Sequence, residues 1–131
     1  MGYRSEVILA VDAKLVPALT AAFAKCEETQ KLCTQHVDNL DIDYDGKGNW
    51  LMHWESIKWY DSYPEIAMIE KLVEGMDCDD LEEFGLKDLT LSASDGYGEL
   101  YKFVRIGEDM DDNETRGYGF ENIYISRHIS T

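Results

Sequence analysis

Trp50-Leu51-Met52-His53-Trp54-Glu55-Ser56-Ile57-Lys58-Trp59-Tyr60-Asp61-Ser62-Tyr63-Pro64 holds all three tryptophans of the chain. Its character changes along its length. As far as about Trp59 it reads as a strand with one face in a core. Ser62-Tyr63-Pro64-Glu65 then has the spacing of a capping box, in which the Ser62 hydroxyl and the Glu65 carboxylate each satisfy a free backbone donor. Ile66, Ile69, Val73 and Met76 follow at helical spacing, and Gly75 is expected to help stop the helix. A strand running directly into a helix is predicted, with the rest of the chain packed around both.

Upstream, Leu40, Ile42 and Tyr44 alternate with Asp41, Asp43 and Asp45 ahead of Gly46-Lys47-Gly48. That pattern predicts a hairpin. A three-residue loop would pair Asp45 with Asn49, Tyr44 with Trp50, Ile42 with Met52 and Leu40 with Trp54. All the large apolar side chains then share one face, and the aspartates share the other with His53 and Glu55.

Ser5 to Val11 reads as a strand, and its unbroken run Val7-Ile8-Leu9-Ala10-Val11 suits a central position. Asp12 as a cap, or Pro17 in the first turn, opens a helix that is expected to run to about Cys33. Its stripe is Val16, Leu19, Phe23, Cys26 and Cys33. Beyond the second helix come an acidic connector from Asp77 to Glu83, a strand through Leu89, Leu91 and Ala93, and a turn from Ser94 to Gly98. A strand from Leu100 to Ile106, an acidic loop from Gly107 to Gly119 and a last strand from Phe120 to Ile129 complete the chain. Such a loop is long for a structureless connection in a compact domain. The order predicts an α+β fold: a mainly antiparallel sheet of about six strands with two helices on one face, ferredoxin-like β-α-β-β-α-β plus a C-terminal hairpin. Residues 1–131 are expected to form a single domain.

Charge bounds the function. The chain carries 27 acidic against 12 basic residues, a net −15. That field repels nucleic acid and anionic membranes, and it favours basic partners or simply solubility. No apolar run approaches the ~20 residues of a membrane-spanning helix. The first ten residues lack the features of a secretion signal, and an odd cysteine count suits reduced thiols in a cytosol.

Several chemistries are raised by the residues. Asp41-Ile42-Asp43-Tyr44-Asp45-Gly46 matches the first half of an EF-hand loop, but the twelfth position is Met52 and strands flank it, so a hairpin is expected instead of a metal site. Cys26 and Cys33 lie on an apolar stripe, and Cys78 sits among Asp77, Asp79 and Asp80, surroundings that disfavour a thiolate, so no catalytic Cys–His pair or zinc set is predicted. Gly96-Tyr97-Gly98 and Gly117-Tyr118-Gly119 lack what a phosphate loop needs. Arg4, Lys102, Arg105 and Arg127 lie on predicted strands; they form an anion-binding pocket if those strands are neighbours, or they pair with the surplus carboxylates. The remaining feature is the acidic surface: Asp41, Asp43 and Asp45 on the hairpin, Asp77 to Glu83 on the connector, and Glu108, Asp109, Asp111, Asp112 and Glu114 on the loop.

Gly2-Tyr3-Arg4-Ser5-Glu6-Val7, Ile57-Lys58-Trp59-Tyr60-Asp61-Ser62-Tyr63-Pro64 and Phe103-Val104-Arg105-Ile106-Gly107-Glu108-Asp109 resemble segments of a group of small uncharacterised tailed-bacteriophage proteins. The resemblance implies a phage or prophage product in the cytoplasm of a bacterial host. By analogy with small acidic phage proteins, the expected function is a non-enzymatic accessory protein that binds and modulates or inhibits a host or defence protein, anti-CRISPR-like or DNA-mimic-like, without a cofactor. The residues expected to meet that partner are Asp41, Asp43, Asp45, Trp59, Tyr60, Tyr63, Glu108, Asp109, Asp111 and Asp112. The alternative is a protein that binds a small molecule, such as a nucleotide signal, through Arg4, Arg105 and Arg127.

Overall fold

β1 (Ser5–Val11) lies between two antiparallel neighbours, as its continuous apolar run requires. The computed structural model describes residues 4–44, 46, 48–77, 81–85, 100–108, 112–117 and 119. After β1 come a short 3-10 turn (Ala13–Leu15), α1 (Val16–Lys25), α2 (Glu27–Thr34), β2 (Asn39–Tyr44), β3 (Asn49–Ile57), α3 (Pro64–Asp77), a second 3-10 turn (Glu82–Phe84), β4 (Tyr101–Gly107) and β5 (Asn113–Arg116). Among the described residues the strands form a five-stranded sheet in the order β2-β3-β1-β4-β5, every neighbouring pair antiparallel. The fold is α+β. The expected strand through Leu89 to Ala93, the turn from Ser94 to Gly98 and the strand from Phe120 to Ile129 lie outside the described residues.

Register decides which face is apolar. Val7, Leu9 and Val11 stand opposite Trp54, Met52 and Trp50 on β3, while Leu9 and Val11 stand opposite Phe103 and Tyr101 on β4. Alternate residues share a face, so this set forms one layer. Against it pack Leu19 and Ala22 of α1, Leu32 and Cys33 of α2, and Ile66, Ile69, Val73 and Met76 of α3, in one buried cluster. Each fully buried Leu, Ile or Met there contributes roughly 1.5–3 kcal/mol. The indole N–H of Trp54 donates to the Leu32 carbonyl at 3.1 Å, which satisfies the one polar atom that this ring takes into the core.

The first helix is two helices. Cys26 is extended (φ −144°, ψ 105°) and serves both ends: its N–H donates to the Ala22 carbonyl, and its own carbonyl accepts from Thr29 and Gln30. The break redirects α2 onto α3, where the buried Thr29 hydroxyl donates to the Glu65 carbonyl at 3.2 Å. α3 begins at Pro64, and the Tyr63 carbonyl accepts from Ile66 and Ala67, so the cap position is Tyr63 and not Ser62. Gly75 does not stop the helix, which continues to Asp77.

The β2–β3 hairpin forms, but in another register and with its predicted apolar face kept only at the Leu40 end. Leu40 pairs with Met52 instead of Trp54, and an irregularity lies between Asp41 and Tyr44, which pairs with Asn49. The turn dictates the shift. The Asp43 carboxylate accepts from Gly48 N–H at 2.7 Å and the Asp43 carbonyl from Gly46 N–H at 3.1 Å, with both glycines at positive φ. Ile42, expected in the core, is 57% exposed.

The supposed loop after Ile106 contains β5, paired with β4 through Phe103–Arg116, Val104–Thr115, Arg105–Glu114 and Ile106–Asn113. Beyond it Gly117 (φ 76°) presses on the Tyr101 backbone, where a Cβ would collide with the Tyr101 carbonyl. Gly119 N–H donates to that same carbonyl at 3.0 Å.

Candidate functional site

The connection from Lys58 to Tyr63 separates two clefts. Trp59, expected as an exposed contact, turns inward and is buried. Its ring meets Trp54 at 5.5 Å and Phe103 at 5.8 Å between centroids, and its N–H donates to Glu70 Oε1 at 3.1 Å. A ring of that size at the end of a strand gains more from the core than from water. Tyr60 and Tyr63 pack on each other at 5.4 Å; Tyr60 is half-buried and Tyr63 is 37% exposed. Of the three aromatics singled out from the sequence, Tyr63 is the one left on the surface.

On the Trp59 side lies a cleft of about 490 Å³ lined by Ser5, Trp59, Tyr60, Asp61, Glu70, Arg105, Asp112 and Glu114. β4 and β5 build it: the register sets Arg105 opposite Glu114 and on the same face as Val7, toward the helices. Arg105 grips Asp112 with two parallel hydrogen bonds of 2.8 and 3.2 Å, reaches Ser5 Oγ at 3.4 Å and stands 3.5 Å from Glu114. Glu114 in turn accepts from Arg116 Nε at 2.7 Å. The hydrogen bond to Asp112 raises the Arg105 pKa above its ordinary value, against a smaller opposing effect of burial, with the Asp112 and Glu114 charges adding to the rise. Burial acts to lower the Arg116 pKa, but the Glu114 hydrogen bond together with the charges of Glu114, Glu70 and Asp77 outweighs it and the net direction is upward. Glu70, half-buried, is pushed above the usual carboxylate range by burial first and by the Glu114 charge as well, while the Trp59 hydrogen bond and both arginines pull the other way. The result is a chain of alternating charges, Asp112–Arg105–Glu114–Arg116, whose fork geometry is that of a strong pair.

That chain corrects two expectations. Arg105 commits its guanidinium to Asp112 and Glu114, so it is no open anion-binding residue; of the two alternatives weighed for it, pairing with surplus carboxylates is the one seen. Asp112 is equally committed and does not stand as a free acidic contact. Arg4 sits apart, donating to the Ser56 carbonyl at 3.3 Å, Lys102 pairs across from Ala10, and Arg127 lies outside the described residues. The described part of the basic set is not brought together.

On the other side of the connection a cleft of about 420 Å³ opens among α2, β3 and the start of α3. Arg4, Lys31, His36 and Lys58 line it together with Glu28, Asp38 and Glu65, over a floor that includes Leu32, Trp54 and Ile66. Sequence reasoning missed Lys31, Lys58 and Glu65 here, and Glu70 in the first cleft, because each sits on the flank of an amphipathic element where a charge is unremarkable.

The hairpin aspartates have local work. Asp41 accepts from Asp43 N–H at 3.0 Å, and Asp43 from Gly48 N–H. Both remain exposed, as does Glu108; Asp45, Asp109 and Asp111 lie outside the described residues. Among the described residues no three His, Cys, Asp or Glu side chains are grouped as metal ligands. Burial pushes the Cys33 thiol up to about 12, which leaves it inert at neutral pH. Cys26 is half-buried, and Cys78 and His128 lie outside the described residues. His53 contacts Glu6 on the neighbouring strand at 2.7 Å. No helix among the described residues is long and apolar enough to cross a membrane. No protein-family model matches this chain, and neither a curated protein nor a solved structure does.

Proposed function

We propose that this is a non-enzymatic, phage-encoded accessory protein that acts in the bacterial cytoplasm by binding a host or defence protein with a basic surface. The observation that supports this most is the placement of its acids. Glu27, Glu28, Asp41, Asp43, Glu55, Asp61, Glu74, Glu82, Glu83 and Glu108 are all exposed, on a chain of net charge −15. Such a surface speeds encounter with a cationic partner and excludes nucleic acid itself. Occupying a nucleic-acid groove on an enzyme is the mode that this charge suits. Tyr63 and Ile42, the large apolar side chains exposed among the described residues, supply anchors that charge alone lacks.

The finer reading of the fold is ferredoxin-like with one added strand. It is supported by two crossovers: β1 and β2 flank β3, and β3 and β4 flank β1, each pair joined through helix. The nucleotide-binding alternative loses its best residue, since Arg105 is held by carboxylates.

The test is capture from bacterial lysate at low and moderate salt. A basic protein is retained at low salt, elutes as ionic strength passes about 0.15 M, where the screening length falls to ~8 Å, and is lost when Glu27, Glu28, Asp61 and Glu108 become amides. Retention that ignores salt and these substitutions, or no retained protein, sinks the proposal.

A further inference from the structure

The cleft beside Arg4 is bipolar. Ser5 pairs with Ile57 across antiparallel strands, so Arg4 and Lys58 are brought side by side at the sheet end of the cleft. The Thr29 hydroxyl ties α2 to the first turn of α3 through the Glu65 carbonyl, which sets Glu28 and Glu65 together on the helical side. Between these two ends lie Leu32, Trp54 and Ile66, with Tyr63 at the margin. Two other charges of the cleft are already occupied: Lys31 stands 3.7 Å from Glu27, and Asp38 accepts from Glu55 N–H at 2.7 Å. Among the described residues neither Arg4 nor Lys58 has a carboxylate within ion-pair distance, and neither Glu28 nor Glu65 has a cationic partner. Opposite charges thus line one cavity without neutralising each other.

From this arrangement we infer that the cleft binds a small zwitterion with an apolar body, of the amino-acid class, its carboxylate on Arg4 and Lys58 and its ammonium on Glu28 and Glu65. A cavity of about 420 Å³ has the volume of a small-molecule site. An anion without the ammonium leaves the two glutamates facing the ligand unpaired, and a cation without the carboxylate does the same to Arg4 and Lys58. Only the zwitterion answers both ends. The inference rests on the cleft alone, so it stands or falls separately from the binding of a basic protein.

The probes are the apolar and aromatic L-amino acids, each also as its N-acetyl and its C-terminal amide derivative, at about 10 mM in thermal unfolding of the full chain. At least one free amino acid raises the midpoint by about 2–5 °C, and neither of its derivatives does. Arg4→Gln and Glu65→Gln, checked by circular dichroism for an unchanged fold, each weaken that ligand at least about tenfold, the effect of removing one charged hydrogen bond. An N-acetyl form that stabilises as well as the free acid makes the site a plain anion site and overturns the inference. An amide that does so makes it a cation site and overturns the inference equally. No shift with any free amino acid also overturns it.

Discussion

Two clefts of similar size flank one connection, about 490 Å³ on the Trp59 side and about 420 Å³ on the Tyr63 side, and they treat their arginines in opposite ways. Arg105 is held by the Asp112 fork and by Glu114, its side chain 18% exposed. Arg4 is exposed and touches one backbone carbonyl. The aromatics divide likewise, Trp59 in the core and Tyr63 on the surface. The difference follows from what lies opposite each strand end. β5 delivers Glu114 and, just ahead of it, Asp112 to Arg105, whereas Arg4, just outside the Ser5–Ile57 pair, shares its cleft end with a like charge, Lys58. One side holds the fold together, and the other keeps its charges open to a ligand.

Truncation separates the two sides most sharply at the aromatics. Trp59→Ala opens a hole between Trp54 and Phe103 and strips a hydrogen bond from Glu70, and it should cost about 3–5 kcal/mol in chemical denaturation. Tyr63→Ala should cost under about 1 kcal/mol. Equal losses at the two positions would mean that the connection is buried, or exposed, along its whole length.

A smaller contrast is expected at the arginines. Arg105→Ala leaves Asp112 and Glu114 partly buried without their shared cation. Because these side chains retain 35% and 26% exposure, the loss should be about 2 kcal/mol, below the range for a fully buried pair. Arg4→Gln should change stability by less than about 0.5 kcal/mol. A neutral Arg105→Ala would remove the structural role assigned to the charged chain.

The smallest effect is a pH dependence at Glu70. Its folded-state pKa is raised, chiefly by burial. The native state therefore holds a proton that the unfolded state has released, so stability falls as pH rises from the ordinary carboxylate value through the raised one. Glu70→Gln, which keeps an acceptor for the Trp59 N–H, should flatten that fall and leave the variant the more stable of the two at pH 7. Urea midpoints across pH 4 to 7 read it directly, and an unchanged slope would show that the Glu70 carboxyl is well solvated.

How much of this was legible in the sequence depended on whether a pattern had an apolar period. β1 was read to its end residues because five successive apolar side chains fit little else. The hairpin was read, but not its register: at Leu40 the shift is two residues and the face is kept, whereas beyond the irregularity Tyr44 is shifted by one, and the turn chemistry of Asp43, which alternation does not encode, decides both. The helix break at Cys26 left no trace, because an ordinary residue that continues the apolar stripe adopts the extended conformation there. β5 was missed outright. Asn113-Glu114-Thr115-Arg116 has no apolar residue, and what fastens it is backbone pairing with β4 together with the Arg105–Glu114 match of charges, neither of which an apolar period shows. The charged clefts were illegible for the same reason.

The aspartates of β2 have a consequence even without a partner. β2 is the outermost described strand next to β3, and it carries the exposed Ile42 between Asp41 and Asp43. A free strand flank bearing an apolar residue invites a second molecule to extend the sheet and begin a stack. Two negative charges beside that residue, and the irregularity in the pairing there, make such stacking repulsive and ill-fitting. In a cell crowded with newly made copies, this would oppose edge-to-edge association through β2.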